Sequence, residues 1–180
     1  MKTKWTAKML ATAAVCLALS FLLSYIQLLK MPTGGSLTAA SMLPLMLFAW
    51  LYGVGPGLVT GVAYGFMQLL QDAYVVHWLQ LLLDYPLAFM MLGLAGAFRK
   101  VGRPWALPAG VALACFGRFL CHAVSGLAFF AEYAPAADFL SVLVYTTVYN
   151  GGYMAAELVL SAVIASLSPV RGMLRRLSAM

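Results

Sequence analysis

Six apolar stretches, parted by short connections rich in glycine, proline and basic residues, take up nearly all of the 180-residue chain. They run from Met9 to Leu29, Leu37 to Tyr52, Gly57 to Leu70, Leu79 to Phe98, Trp105 to Phe130 and Phe139 to Leu167. A bilayer core of roughly 30 Å takes about 20 apolar residues to cross as a helix. The second and third stretches are short for that, and call for tilt, shelter by neighbours or an incomplete span. The first follows Lys2, Lys4 and Lys8 as a signal peptide would, but its apolar run exceeds the ~7–15 residues of a signal and no clear cleavage site follows. It reads as a retained helix.

A soluble fold fails on charge. Hydrophobic residues make up 64% and charged residues 9%, where soluble domains carry about 25% charge. So few charges cannot cover a globule in water, and disordered chains and basic nucleic-acid binders need the very residues that are missing. The expected fold is an all-α membrane protein, one domain over residues 1–180 with six transmembrane helices.

The basic residues fall on one side of such a bundle. Lys2, Lys4 and Lys8 precede the first helix, Arg99, Lys100 and Arg103 join the fourth to the fifth, and Arg171, Arg175 and Arg176 follow the sixth. The other side has Lys30 with Asp72, Glu132 and Asp138. The positive-inside rule then places both termini in the cytoplasm, and an odd number of helices would split the clusters. The net charge of +6 is a topology signal and a possible grip on anionic lipid rather than a sign of nucleic acid.

Charges inside spans are costly and mark cavities or partners. Here they are Asp84, Arg118 and Glu157, joined by the polar His122 and Asn150. At ~1.5 Å per residue, Asp84 lies roughly 9 Å and His122 roughly 12 Å below the outer helix ends. Tyr145 is similarly deep, and Tyr74, Trp78, Tyr85 and Phe130 sit at or above that level. A carboxylate among aromatic faces suits a flat cationic ligand, and His122 and Asn150 offer directional hydrogen bonds. Plainer roles stand beside this reading. Trp78 and Tyr74 fit as interfacial anchors, His122 as a packing residue, and Arg118 as a counter-charge to Glu157 or to backbone carbonyls.

Small residues mark packing faces. Gly57, Gly61 and Gly65 form a row that lets another helix come close, and Ala7/Ala11 and Ala14/Ala18 form two such pairs in the first helix. There is no phosphate-binding glycine loop, hence no ATP site of that kind. Cys115, Cys121 and His122 lack the spacing of a metal site, so no metal or cofactor is expected. A hydrolase built from Ser125, His122 and Asp84 would lack the nucleophile-elbow sequence. The chain has a pocket without an engine and is small for a complete active transporter.

Several strings resemble the thiamine-binding substrate subunit (ThiT) family of energy-coupling-factor transporters. They are Pro32-Thr-Gly-Gly-Ser36, Ser41-Met-Leu-Pro44, Tyr52-Gly53, Leu83-Asp-Tyr-Pro86, Leu92-Gly-Leu-Ala-Gly96, Arg118-Phe119 with His122 and Ser125-Gly126, and Tyr145 with Asn150. Their order and spacing are kept from the first helix to Gly152. The resemblance implies a non-enzymatic subunit that binds thiamine tightly from outside and docks on a transmembrane coupling protein with two ATPases. It implies that Asp84, where the family typically has Glu, meets the cationic ligand. It also makes His122, Asn150, Tyr145, Tyr85 and Tyr74 ligand contacts, with Phe130 where a Trp often stacks. Met31 and Thr33 flank Pro32, near which the family often has an aromatic. Ala14 and Ala18 match its docking face. The shorter Asp and the weaker ring leave room for a thiamine relative, so a subunit for another vitamin or pyrimidine stays open, as does a small intramembrane enzyme.

Overall fold

The first apolar stretch starts as a helix because Thr6 caps it. In the computed structural model its hydroxyl accepts the Met9 N–H at 3.2 Å, opening α1 (Ala7–Ser24). Residues 5–32, 34–71, 73–136 and 138–179 are described. Lys2, Lys4, Thr33 and Asp72, named above, lie outside them.

The apolar run expected to stay helical to Leu29 leaves the helix at Ser24, and the stretch expected to be helical from Leu37 is helical only from Leu43. Between them lies an antiparallel hairpin, β1 (Gln27–Lys30) against β2 (Ser36–Thr38), pairing Leu29 with Leu37 and Lys30 with Ser36. Its tip needs Gly34 and Gly35 at φ of 95° and 85°, which side chains resist. Ile26, Leu28 and Leu29 are apolar enough for either structure, and a short apolar run does not choose between them.

The short second stretch becomes α2 (Leu43–Tyr52), with Leu43, Leu45, Met46, Phe48 and Ala49 buried by its neighbours. Its neighbours give these ten residues the shelter expected of a short stretch. After a turn at Gly53 comes α3 (Val54–Gln68). Its glycine row lies against the fourth helix, as expected of such a row: a Cβ on Gly61 would fall 2.9 Å from the Met90 Cα. That fourth helix, α4 (Trp78–Phe98), is not uniform. Pro86 has no N–H to give to the preceding turn, and the helix widens to a π turn over Leu83–Leu87 before tightening to a 3-10 coil over Met91–Phe98. The longest helices follow, α5 (Ala106–Phe129) and α6 (Phe139–Ser166), packed on each other. The Asp138 carboxylate caps α6 by accepting the Ser141 N–H at 3.0 Å. Hydrogen bonding from Ser141 holds that carboxyl below the usual carboxylate range. The basic C-terminal stretch forms α7 (Ser168–Ala179), anchored by the buried Leu174.

Among the described residues four helices are long and apolar enough to cross a membrane: α1, α4, α5 and α6. Large apolar side chains such as Leu22, Val59, Phe116, Val148 and Val159 face outward, as suits a lipid environment. The connections gather at two ends. At one, Thr12 bonds to Tyr52 at 3.0 Å, Arg99 lies against Gly53, and Arg171 donates to the Pro104 carbonyl at 3.1 Å. At the other, Ser24 meets Gln71 at 2.6 Å and the Tyr149 hydroxyl donates to the Gly34 carbonyl at 3.1 Å. The described basic residues Lys8, Arg99, Lys100, Arg103, Arg171, Arg175 and Arg176 belong to the first end, Lys30 to the second.

Candidate ligand-binding site

A polar side chain inside an apolar bundle has to find partners, and Asp84 finds three. It sits on the π turn of α4, and its Oδ2 accepts from Gln80 Nε2 at 2.7 Å and from Ser125 Oγ at 2.8 Å. Its Oδ1 lies 2.8 Å from His122 Nδ1. On the far side of the ring, Arg118 Nε donates to His122 Nε2 at 3.2 Å. The Arg118 bond makes Nε2 an acceptor, so Nδ1 carries the hydrogen and donates it to Asp84. The result is a line from cation to neutral imidazole to anion. A carboxylate offers about four lone-pair sites. Three are taken, and one is left open.

This geometry changes two readings. Both His122 nitrogens are engaged within the protein, so neither is free for the directional hydrogen bonds expected of it. Arg118 is a counter-charge to Glu157 only through space. Among the described residues no ion pair joins them. Arg118 donates to His122 and Met42, and its guanidinium carbon lies 4.2 Å from the centre of the Phe89 ring. Glu157, 1% exposed, instead accepts from the Thr38 N–H at 3.0 Å and hydroxyl at 3.1 Å, fastening β2 to α6.

The cavity in front of Asp84 lies at the end that carries the hairpin. It offers about 140 Å³ to the centre of a water-sized sphere. A single water needs ~10–15 Å³ by that measure, so a small organic molecule fits. Asp84, His122, Asn150, Tyr145, Tyr85, Tyr74 and Phe130 all line it. Asn150 is held by donating to the Thr146 carbonyl at 3.1 Å and accepting from Tyr153 at 3.2 Å. At the rim the Tyr74 and Tyr133 hydroxyls lie 2.9 Å apart and the Tyr74 and Phe130 rings 6.0 Å apart. The bond to Tyr74 pushes the Tyr133 phenol up to about 12. Trp78 is 64% exposed and does not line the cavity, which fits the anchor reading.

Sequence reasoning passed over Gln80, Gln68, Gln71, Thr38 and Ser41, which also line the cavity. Gln80 carried a signal, being a glutamine in an apolar helix one turn before Asp84 and on the same face. The hairpin residues carried none, because their place depends on a hairpin that was not foreseen. Their bond to α6 is testable. Glu157→Ala orphans the buried Thr38 N–H and is expected to cost about 1–3 kcal/mol, read as a lower unfolding temperature in detergent.

The hydrolase alternative fails on geometry. Ser125 donates to Asp84, not to His122, and the second nitrogen of His122 faces Arg118. The imidazole does not stand next to the hydroxyl, so the serine–histidine pair that such a triad needs is not formed. A helical bundle with lipid-facing sides and a polar cavity near one end defines a membrane protein with room for a small solute.

The comparisons with known proteins carry this to a family. The chain belongs to the thiamine transporter protein family (Thia_YuaJ), whose sequence model matches residues 10–173. It is similar to the thiamine transporter ThiT of Bacillus subtilis, 32% identical over 151 residues and 77% of each chain. It is also similar to that of Lacticaseibacillus paracasei, 29% identical over 139 residues and 68% of each. A solved structure of ThiT from Listeria monocytogenes superposes with a TM-score of 0.78 at 23% identity, covering 88% of this chain and 91% of that one. That last likeness speaks for the fold. The function is transport, not catalysis.

Proposed function

We propose that this chain is the thiamine-binding substrate subunit of an energy-coupling-factor importer, taking up thiamine with high affinity from outside the cell. The observation that carries the reading is Asp84, an anion held by three protein donors and facing a cavity walled by tyrosines and Phe130. Thiamine is a cation built of two flat heteroaromatic rings. Charge pairing and cation–π attraction both act on such a ligand, and both strengthen away from water. The relatives' names point to the same ligand.

In this reading α1 to α6 are six transmembrane helices of a single domain spanning residues 1–180, in the cell membrane. Both termini are cytoplasmic, since the end that gathers the described arginines is the inner one. The cavity then opens outward, and α7 lies at the inner surface with Arg175 and Arg176 exposed. The chain has no phosphate-binding loop, so energy comes from partners: a transmembrane coupling protein and two ATPases. Ala14 and Ala18 are exposed on α1, one turn apart, and form the docking face.

Calorimetry is the direct test. None of the four tryptophans lines the cavity, so tryptophan fluorescence is a weak reporter. A single saturable site for thiamine below about micromolar is expected. No heat with thiamine, or tighter binding of another vitamin or a free pyrimidine, overturns the assignment. As a second arm, Ala14→Trp with Ala18→Trp is expected to abolish cellular uptake and leave binding intact.

A further inference from the structure

Gln80 makes more bonds than any helix-facing glutamine needs for its own burial. It is 2% exposed and every polar hydrogen and oxygen of its side-chain amide is assigned. One N–H goes to Asp84 Oδ2 at 2.7 Å and the other to the Tyr74 carbonyl at 3.0 Å. The Oε1 accepts the Val76 N–H at 3.1 Å. The Tyr74 N–H, meanwhile, donates to the Tyr85 hydroxyl at 2.8 Å. The backbone of the loop before α4 is thereby fastened to the helix at three points, two of them on one side chain. That loop carries Tyr74, whose ring lies beside Phe130 and whose hydroxyl bonds to Tyr133 at the rim. One amide therefore holds both the anion and the wall opposite it.

We propose that Gln80 is a positioning residue for ligand capture, which aims the last open lone pair of Asp84 into the cavity and locks the Tyr74 loop to the same reference. The proposal rests on the reading of Asp84 as the ligand's counter-charge. A carboxylate on a short side chain swings about two bonds, and a ligand must otherwise pay for stopping it. Ser125 and His122 reach Asp84 from α5, whereas Gln80 ties it to the Tyr74 loop. That arrangement predicts a specific energetic signature. Removing Gln80 weakens binding through Asp84, so its effect shrinks when the charge of Asp84 is already gone.

The experiment is a double-mutant cycle on the full chain in detergent, titrated with thiamine. Wild-type binding is the first measurement, and its absence sinks the assignment of thiamine rather than the role of Gln80. With binding present, Gln80→Met, close in size and without the amide, is expected to raise the dissociation constant about tenfold. In the Asp84→Asn background the same change is expected to matter less than about twofold. Equal loss in both backgrounds shows Gln80 to be a packing residue and overturns the proposal. Gln80→Glu supplies a second route where the first variant folds poorly. Two carboxyls side by side share one proton, and the protonated form can donate to Asp84 as the amide does. The groups facing this pair are His122, Arg118, Tyr74, Tyr85, Tyr153 and Cys121, all present in wild type. Affinity of the variant relative to wild type is therefore expected to recover as pH falls from about 8 to 5.5. A ratio independent of pH overturns the proposal as well.

Discussion

Asp84→Asn is expected to raise the dissociation constant for thiamine about 100- to 1000-fold while leaving the unfolding temperature within a few degrees of wild type. The size follows from where the charge sits. Breaking a buried charge pair by removing one partner costs about 3–5 kcal/mol, and each 1.4 kcal/mol is a factor of ten. The upper end is softened here because the cavity is open at its mouth, which lets water in. The protein itself loses less. The remaining oxygen of the asparagine still accepts from Gln80 and Ser125, which share one Asp84 oxygen, and only the His122 contact is lost, because Arg118 holds Nε2 as an acceptor. The discriminating control is a neutral isostere of thiamine in which carbon replaces the charged ring nitrogen. It gains nothing from an anion, so Asp84→Asn is expected to change its binding less than about tenfold. Equal losses for the charged and neutral ligands would refute charge pairing and leave Asp84 as a hydrogen-bond acceptor or a structural residue.

The parts of the site that were legible in the sequence share one property: each is a residue whose chemistry is wrong for its surroundings. Asp84, His122 and Asn150 are polar in apolar runs, and that conflict is visible without knowing the fold. Tyr145, Tyr85, Tyr74 and Phe130 followed from counting depth along helices, a one-dimensional measure that survives errors of a few residues. What remained hidden depends on relations across the fold. Glu157 was visible as a charge, but its tie to Thr38 needs a strand where the apolar pattern suggested helix. The neutral tautomer of His122 requires knowing which residue approaches each nitrogen, and only Arg118 one turn away on α5 was open to inference. The hairpin itself was obscured because Ile26, Leu28 and Leu29 prolong the apolar run of α1, though Pro32 and two glycines mark its turn. The glycine row of α3 belongs to the legible part, since close approach was read from spacing alone; which helix approaches was not.

That row controls the site from outside it. A Cβ on Gly65 would lie 2.6 Å from the Pro86 Cα, 2.7 Å from the Tyr85 carbonyl oxygen and 2.8 Å from the Pro86 nitrogen. All three are backbone atoms, and the proline ring stiffens the segment they belong to. The obstacle cannot turn aside as a side chain would. The π turn must move away from α3, and it carries Asp84 and Tyr85 into the cavity. Gly65→Ala is therefore expected to act twice. It should lower the unfolding temperature by about 5 °C, because overpacking a rigid contact costs about 1–3 kcal/mol and outweighs the ~1 kcal/mol that alanine gains in helix propensity. It should also weaken thiamine binding at least about tenfold in protein that is still folded, because a shift near 1 Å misplaces the Asp84 oxygens from the distances at which Gln80, Ser125 and His122 hold them. Gly55 provides the control in the same helix. Nothing lies within 4 Å of a Cβ built there, so Gly55→Ala is expected to keep affinity and to hold or raise the unfolding temperature. If Gly65→Ala behaves like Gly55→Ala in both measurements, the contact between α3 and the π turn has slack. The placement of Asp84 would then depend on its own hydrogen bonds rather than on the helix packed behind it.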